Sequence, residues 1–129
     1  MTAIDTNVLV RFLTRDDEQQ FQKTVRLFAG NNIFIPTTVI LETERVLRYA
    51  YGFAQSAILD AFSRTFGLPN LRIQHPDSVA ESIELARQGL DFADALHLAS
   101  CRDCDSFATF DTAFVGKAKG LHKPAVSKP

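Results

Sequence analysis

Asp94 lies in the stretch DFADALHLASC, residues 91–101, whose neighbouring positions Phe92, Ala93, Ala95, Leu96, Leu98 and Ala99 are apolar. At helical spacing that composition describes a helix enclosed by protein on most of its faces. A carboxylate taken out of water without a partner costs several kcal/mol or gives up its charge, so Asp94 requires a compensating group. Three other acids fall where they could share it. Asp5 follows the short apolar run MTAI, Asp111 follows FATF, and Glu42 shares a helical stripe with Val39 and Val46. In an open parallel sheet, ligands bind outside the carboxyl ends of the strands, and acids placed directly after two strands should emerge on that edge.

Four carboxylates converging from four elements oppose one another. Two of them about 4 Å apart repel by about 4 kcal/mol at an effective dielectric near 20. Such a cluster needs protons or a cation. A hard divalent ion such as Mg²⁺ or Mn²⁺ takes oxygen ligands, keeps several waters and shares its shell with a phosphate, so it suits an all-oxygen set better than zinc. The expected partner of Asp94 is therefore a metal ion.

Each acid also has an ordinary explanation. Asp5 or Thr6 could cap the helix NVLVRFL, Asp111 could cap the last helix, and Glu42 could pair with Arg45 in solvent. A backbone N–H of an adjacent loop could satisfy Asp94. Asp91 reads as the N-cap of its own helix. His97, three residues after Asp94 on the same face, reads either as a satisfied core histidine or as a catalytic one.

The elements that must position these groups follow from periodicity. Short apolar runs alternate with longer helical patterns, the signature of a parallel sheet with crossover helices. The expected strands are MTAID, IFIP, LRIQHP and FATF. The expected helices are NVLVRFL, DDEQQFQKTVRLFAG, TTVILETERVLRYAYG with a capping Thr and closing Gly, AQSAILDAFSRTFG, PDSVAESIELARQG, DFADALHLASC and the short DTAFVGKAKG. The tail LHKPAVSKP reads as either an edge strand or a frayed end.

With 129 residues, 46% of them hydrophobic and 11 of them Phe, the chain is read as one domain, residues 1–129, with room for a substantial core. A net charge of −1 excludes the strongly basic average of a passive nucleic-acid coat but leaves room for local basic patches. The N-terminal stretch lacks the basic region, apolar core and cleavage site of a secretory signal, and no apolar run approaches the roughly 20 residues that span a bilayer. The expectation is a soluble cytoplasmic protein without a membrane partner. Cys101 and Cys104, in CRDC, follow a helix instead of entering one, which favours ordinary reduced thiols over a redox pair or zinc site.

Together AIDTNVLVRFL, LETERVL, DFADALHLASC and FATFDTAF resemble a PIN domain, and more narrowly the VapC-type ribonuclease toxins of prokaryotic toxin–antitoxin pairs. The resemblance runs over essentially the whole chain. Asp5, Glu42, Asp94 and Asp111 match the four acids of that family in order, and Thr6 and Asn7 match the polar pair that supports its site by hydrogen bonding. The resemblance implies a PIN-like α/β/α sandwich with a mostly parallel central sheet, homodimerisation, Mg²⁺- or Mn²⁺-dependent cleavage of RNA, and a cognate antitoxin that covers the site. On it, Asp5 and Asp94 are the principal metal ligands, Glu42 a ligand or water-orienting base, and Asp111 a ligand of a second or weaker ion. Arg11, Arg15, Arg45, Arg48, Lys117 and Lys119 could form a basic rim for phosphates or be plain surface charge.

Other readings fare worse. A haloacid-dehalogenase-like phosphatase needs a second acid two residues after its nucleophile, where this chain has Asn7. A response-regulator receiver needs an acidic pair near its first strand and a phosphoacceptor ending a central strand, and neither occurs. The alternative that survives is a catalytically silent PIN-fold module that binds RNA or a protein partner.

Overall fold

The computed structural model describes residues 1–121 and 124–129. The part of the tail reading that falls on residues 122–123 lies outside them. The chain divides into two compact units, Met1–Pro76 and Asp77–Pro129.

The first unit runs β1 (Thr2–Ala3), α1 (Thr6–Thr14), α2 (Glu18–Gly30), β2 (Ile33–Ile35), α3 (Thr37–Tyr49), α4 (Gln55–Phe66) and β3 (Leu71–Ile73). Its sheet has the order β1-β2-β3, all parallel, with Thr2 opposite Ile33 and Ile33 opposite Leu71. Parallel neighbours need long crossovers, and here each crossover is a pair of helices. Ile33 and Ile35 on the central strand are wholly buried, as are Leu9, Ile40 and Phe62. Each such side chain contributes about 1.5–3 kcal/mol of hydrophobic stabilisation. Phe12 of α1 stacks on Phe28 of α2 with centroids 4.2 Å apart, which joins the two helices of the first crossover.

The second unit contains α5 (Pro76–Arg87), which begins at the junction, then α6 (Phe92–Ala99), β4 (Ser106–Ala108), α7 (Thr112–Ala118) and β5 (Ala125–Ser127). Strand β5 pairs in parallel with β4, Ser106 opposite Ala125, so the C-terminal tail forms a strand. Strand β4 starts one residue earlier than FATF suggests and ends at Ala108, and the Thr109 N–H prolongs the ladder to the Ser127 carbonyl at 3.0 Å. Phe92, Leu98 and Ala99 on α6 are fully buried, as expected of that apolar helix.

The α/β class with parallel pairing is the one expected. One cap differs. The residue before α3 is Pro36, which offers no side-chain acceptor, and Thr37 is already helical. The Thr37 N–H is instead taken by Gln74 Oε1 at 3.0 Å, and its hydroxyl donates to the Gln74 carbonyl at 3.3 Å. A side chain just past β3 thus replaces the local cap. Gly52, at φ +74, lies three residues beyond the end of α3, whose own C-cap is Ala50. Among the described residues, no helix is long and apolar enough to cross a membrane.

Candidate active site

Asp5 leaves β1 with extended backbone, φ −97 and ψ −178, and its Oδ1 accepts the Val8 N–H at 3.1 Å as the N-cap of α1. The ordinary capping explanation therefore holds for Asp5, but it occupies one oxygen. The other accepts no hydrogen bond among the described residues. Strands β1 and β2 are parallel neighbours, each followed by a helix, so the opening turns of α1 and α3 lie at the same edge of the sheet. There the buried Thr6 hydroxyl donates to Glu42 Oε1. The Thr6 hydroxyl thus engages one of the two Glu42 oxygens. The expected Glu42–Arg45 pair is absent among the described residues, because Glu42 turns to α1 and Arg45 stays exposed.

Asn7 is exposed and, with Asp5, Arg11, Gln20, Lys23 and Thr24, lines a cavity of about 290 Å³ between α1 and α2. Gln20, Lys23 and Thr24 went unrecognised in the sequence. Their i, i+3, i+4 spacing places them on one face of α2, but only the pairing of α1 with α2 turns that face toward Asp5.

The second unit supplies the other two acids. Asp91 is the N-cap of α6, as expected: its Oδ1 accepts from Ala93 N at 3.0 Å and Asp94 N at 3.4 Å. That cap holds Asp94 in the first turn, half-buried between the buried Ala93 and Ala95. Its carboxylate accepts no hydrogen bond from any described residue, so the backbone N–H considered as its partner is not there. Burial first, then the negative charges of Asp91 and Asp111, push the Asp94 carboxyl above its ordinary range, while His97 and Lys117 pull the other way. Asp111 shares this electrostatic neighbourhood. Its Oδ1 caps α7 by accepting the Phe114 N–H at 3.1 Å, and its own N–H donates to Thr109 Oγ1 at 3.0 Å. His97 is exposed, so the core-histidine reading is incorrect: it lies on the one polar stripe of an otherwise buried helix.

The structure thus shows two partial acid groups, Glu42 bound to the residue after Asp5 in one unit and Asp94 charge-coupled to Asp111 in the other. Among the described residues, no three His, Cys, Asp or Glu side chains form a group that could hold a metal ion. Within each unit the donor chemistry, carboxylate oxygen, is nevertheless that of a hard cation. All four are carboxylates, and Asp94 has its charge opposed by burial and by two like charges, with no hydrogen-bond donor to relieve it.

Half of the expected basic rim serves the fold instead. Arg11 pairs with Asp16 at 3.1 Å, Arg15 with Glu18 at 3.0 Å, and Arg48 with the wholly buried Glu44 at 2.8 Å. Arg45, Lys117 and Lys119 are exposed and form no ion pair among the described residues. Glu44 was also missed. The buried face of α3 is Ile40, Thr43, Glu44 and Leu47, an i, i+3, i+4, i+7 pattern one step round from the stripe through Val39, Glu42 and Val46. Cys101 and Cys104 are free thiols, and burial, followed by the neighbouring Cys104, pushes Cys101 up, away from the reactive thiolate.

Each unit thus carries an acid at the start of a helix that follows a parallel strand. The PIN domain profile matches residues 2–120, and the chain belongs to the PIN domain family. Among solved structures the chain is similar to Mycobacterium tuberculosis VapC20, described as a sarcin-ricin loop cleaving toxin. The two share 19% identity over 90% of this chain and 94% of that one, with a TM-score of 0.45. No curated protein matches the sequence.

Proposed function

We propose that this chain is a Mg²⁺- or Mn²⁺-dependent endoribonuclease, the toxin of a type II toxin–antitoxin pair, acting in the cytoplasm as a homodimer and silenced by a cognate antitoxin protein. Membership of the PIN family and the motif resemblance support the class. The observation that carries the metal dependence is Asp94, a carboxylate kept without a hydrogen-bond donor beside like charges.

In this reading Asp5 and Asp94 are the main metal ligands, Glu42 a ligand or base, and Asp111 a weaker ligand. A divalent ion held by these carboxylates would supply charge neutralisation at the phosphate and a water of lowered pKa. The remaining work belongs to the chain. Glu42 orients the attacking water and takes its proton, while Thr6 keeps one Glu42 oxygen engaged so that the other faces the reaction. Water oxygen bonds to phosphorus as the bond to the in-line ester oxygen breaks, and that oxygen takes up a proton from solvent. The caps made by Asp5, Asp91 and Asp111 tie each acid's backbone to a rigid helix end, which limits the reorganisation needed on binding.

An RNA-cleavage assay with Mg²⁺ or Mn²⁺, with and without EDTA, on the parent, Asp5→Asn and Asp94→Asn tests this. Metal-dependent cleavage lost in both variants is expected. Cleavage indifferent to EDTA and to both substitutions removes the proposal, and binding without cleavage of any RNA favours the silent module.

A further inference from the structure

Phe110 is 82% exposed, the most exposed large apolar side chain among the described residues. A lone exposed apolar residue is ordinary. What distinguishes this one is how firmly its backbone is held and what surrounds it. On one side the Thr109 N–H bonds to the Ser127 carbonyl at 3.0 Å. On the other, the Asp111 N–H donates to Thr109 Oγ1 at 3.0 Å, and Asp111 caps α7. The rings of Phe107 and Phe114, 5.4 Å apart, pack strand β4 to α7 on either side of this turn. The turn is therefore built around a ring that the fold itself does not use.

The same unit carries Asp111 at the next position, Asp94 within its electrostatic reach, and the unpaired cations Lys117 and Lys119. An anchored, exposed aromatic next to Asp111, in a unit where the charge of Lys117 reaches Asp94, matches single-stranded RNA, whose bases stack on aromatic rings while a lysine takes a phosphate.

We propose that Phe110 is a stacking platform for a base of the RNA strand next to the scissile phosphate, with Lys117 in the last turn of α7 holding a phosphate of the same strand. This rests on the ribonuclease reading and adds to it a residue that positions substrate. The chain contains no Trp, so Phe110→Trp places the single Trp of the protein at the platform, excitable apart from its two Tyr.

The test uses full-length Asp5→Asn protein, to prevent cleavage, and a labelled single-stranded RNA oligonucleotide of mixed sequence. Binding is compared for the Phe110 parent, Phe110→Ala and Phe110→Trp, with circular dichroism to confirm folding. Expected are about tenfold weaker binding for Phe110→Ala, parental binding for Phe110→Trp, and Trp quenching by the RNA that an abasic strand of equal length fails to produce. Equal affinities of parent and Phe110→Ala overturn the platform alone, and overturn it in favour of a protein contact if Phe110→Ala also loses an oligomer on size-exclusion chromatography. A parent that binds no RNA overturns the ribonuclease reading and the platform with it.

Discussion

The Thr6 hydroxyl donates a hydrogen bond to Glu42 across 36 residues of sequence, linking the first turn of α1 to α3. Thr6 is buried, whereas Glu42 is exposed, so the bond restrains a carboxylate that would otherwise move freely in solvent. Thr6→Val keeps the shape and removes the donor, while Thr6→Ser keeps the donor. Partners that orient a functional carboxylate are typically worth 10–100-fold, so Thr6→Val should lower the RNA-cleavage rate by about that factor. Thr6→Ser should restore most of it, with the loss in kcat and little change in KM. Equal rates in all three proteins would show that Glu42 needs no restraint.

Asp5 and Asp111 each combine a cap with a proposed chemical role, and the two can be separated. Asn caps a helix about as well as Asp, while Ala costs about 1 kcal/mol. Asp5→Asn and Asp111→Asn should therefore melt within a few degrees of the parent, and the Ala variants lower. Cleavage should fall about a hundredfold or more in Asp5→Asn, and less in Asp111→Asn. Activity that tracks melting temperature instead of charge would reduce both residues to caps.

Asp94 makes stability depend on pH. Its folded carboxyl is held above the ordinary range by burial, then by Asp91 and Asp111. As pH rises through the ordinary carboxylate range, the unfolded chain releases this proton while the folded chain retains it, so the folded state loses stability until the folded pKa is passed. In EDTA, Asp94→Asn should therefore melt higher than the parent at neutral pH, with the difference closing at about pH 3. Added Mg²⁺ should raise the parent's Tm more than the variant's. A variant less stable than the parent in EDTA at neutral pH contradicts this account.

Glu44 and Arg48 provide a control away from the proposed chemistry. Removing one partner of a buried ion pair leaves a desolvated charge and costs about 3–5 kcal/mol. Arg48→Met should show that loss in urea unfolding. The double variant Glu44→Leu/Arg48→Met should recover most of it, since a buried pair and an apolar pair of similar volume differ little. A double variant as unstable as the single one would mean that Glu44 stabilises α3 by another route.

Legibility in the sequence followed the range of the interaction. Helix α6 and its N-cap Asp91 were readable because both signals lie within a few residues of each other. Helix α3 is legible, but its buried face is not: two adjacent stripes compete in TTVILETERVL, and only packing against neighbours selects Ile40, Thr43, Glu44 and Leu47. The basic residues were read as a group because a list of arginines does not show which acids fold against them. Arg11 meets Asp16 and also Tyr51, 40 residues away.

By itself the sequence determined the alternation of strands and helices, the N-cap Asp91, the candidacy of Asp5 and Asp111 as caps, and the order of acidic motifs that marks a PIN domain. Those are local: a cap needs a carboxylate three residues before an N–H, and a helix needs an apolar period. Only the tertiary structure decided that Thr6 holds Glu42, that Glu44 is buried with Arg48, that Lys23 shares a cavity with Asp5, and that Phe110 is left in solvent. Those depend on which helix follows which neighbouring strand and which face it turns inward. That choice is made by packing the whole apolar surface at once, and no short window of residues contains it.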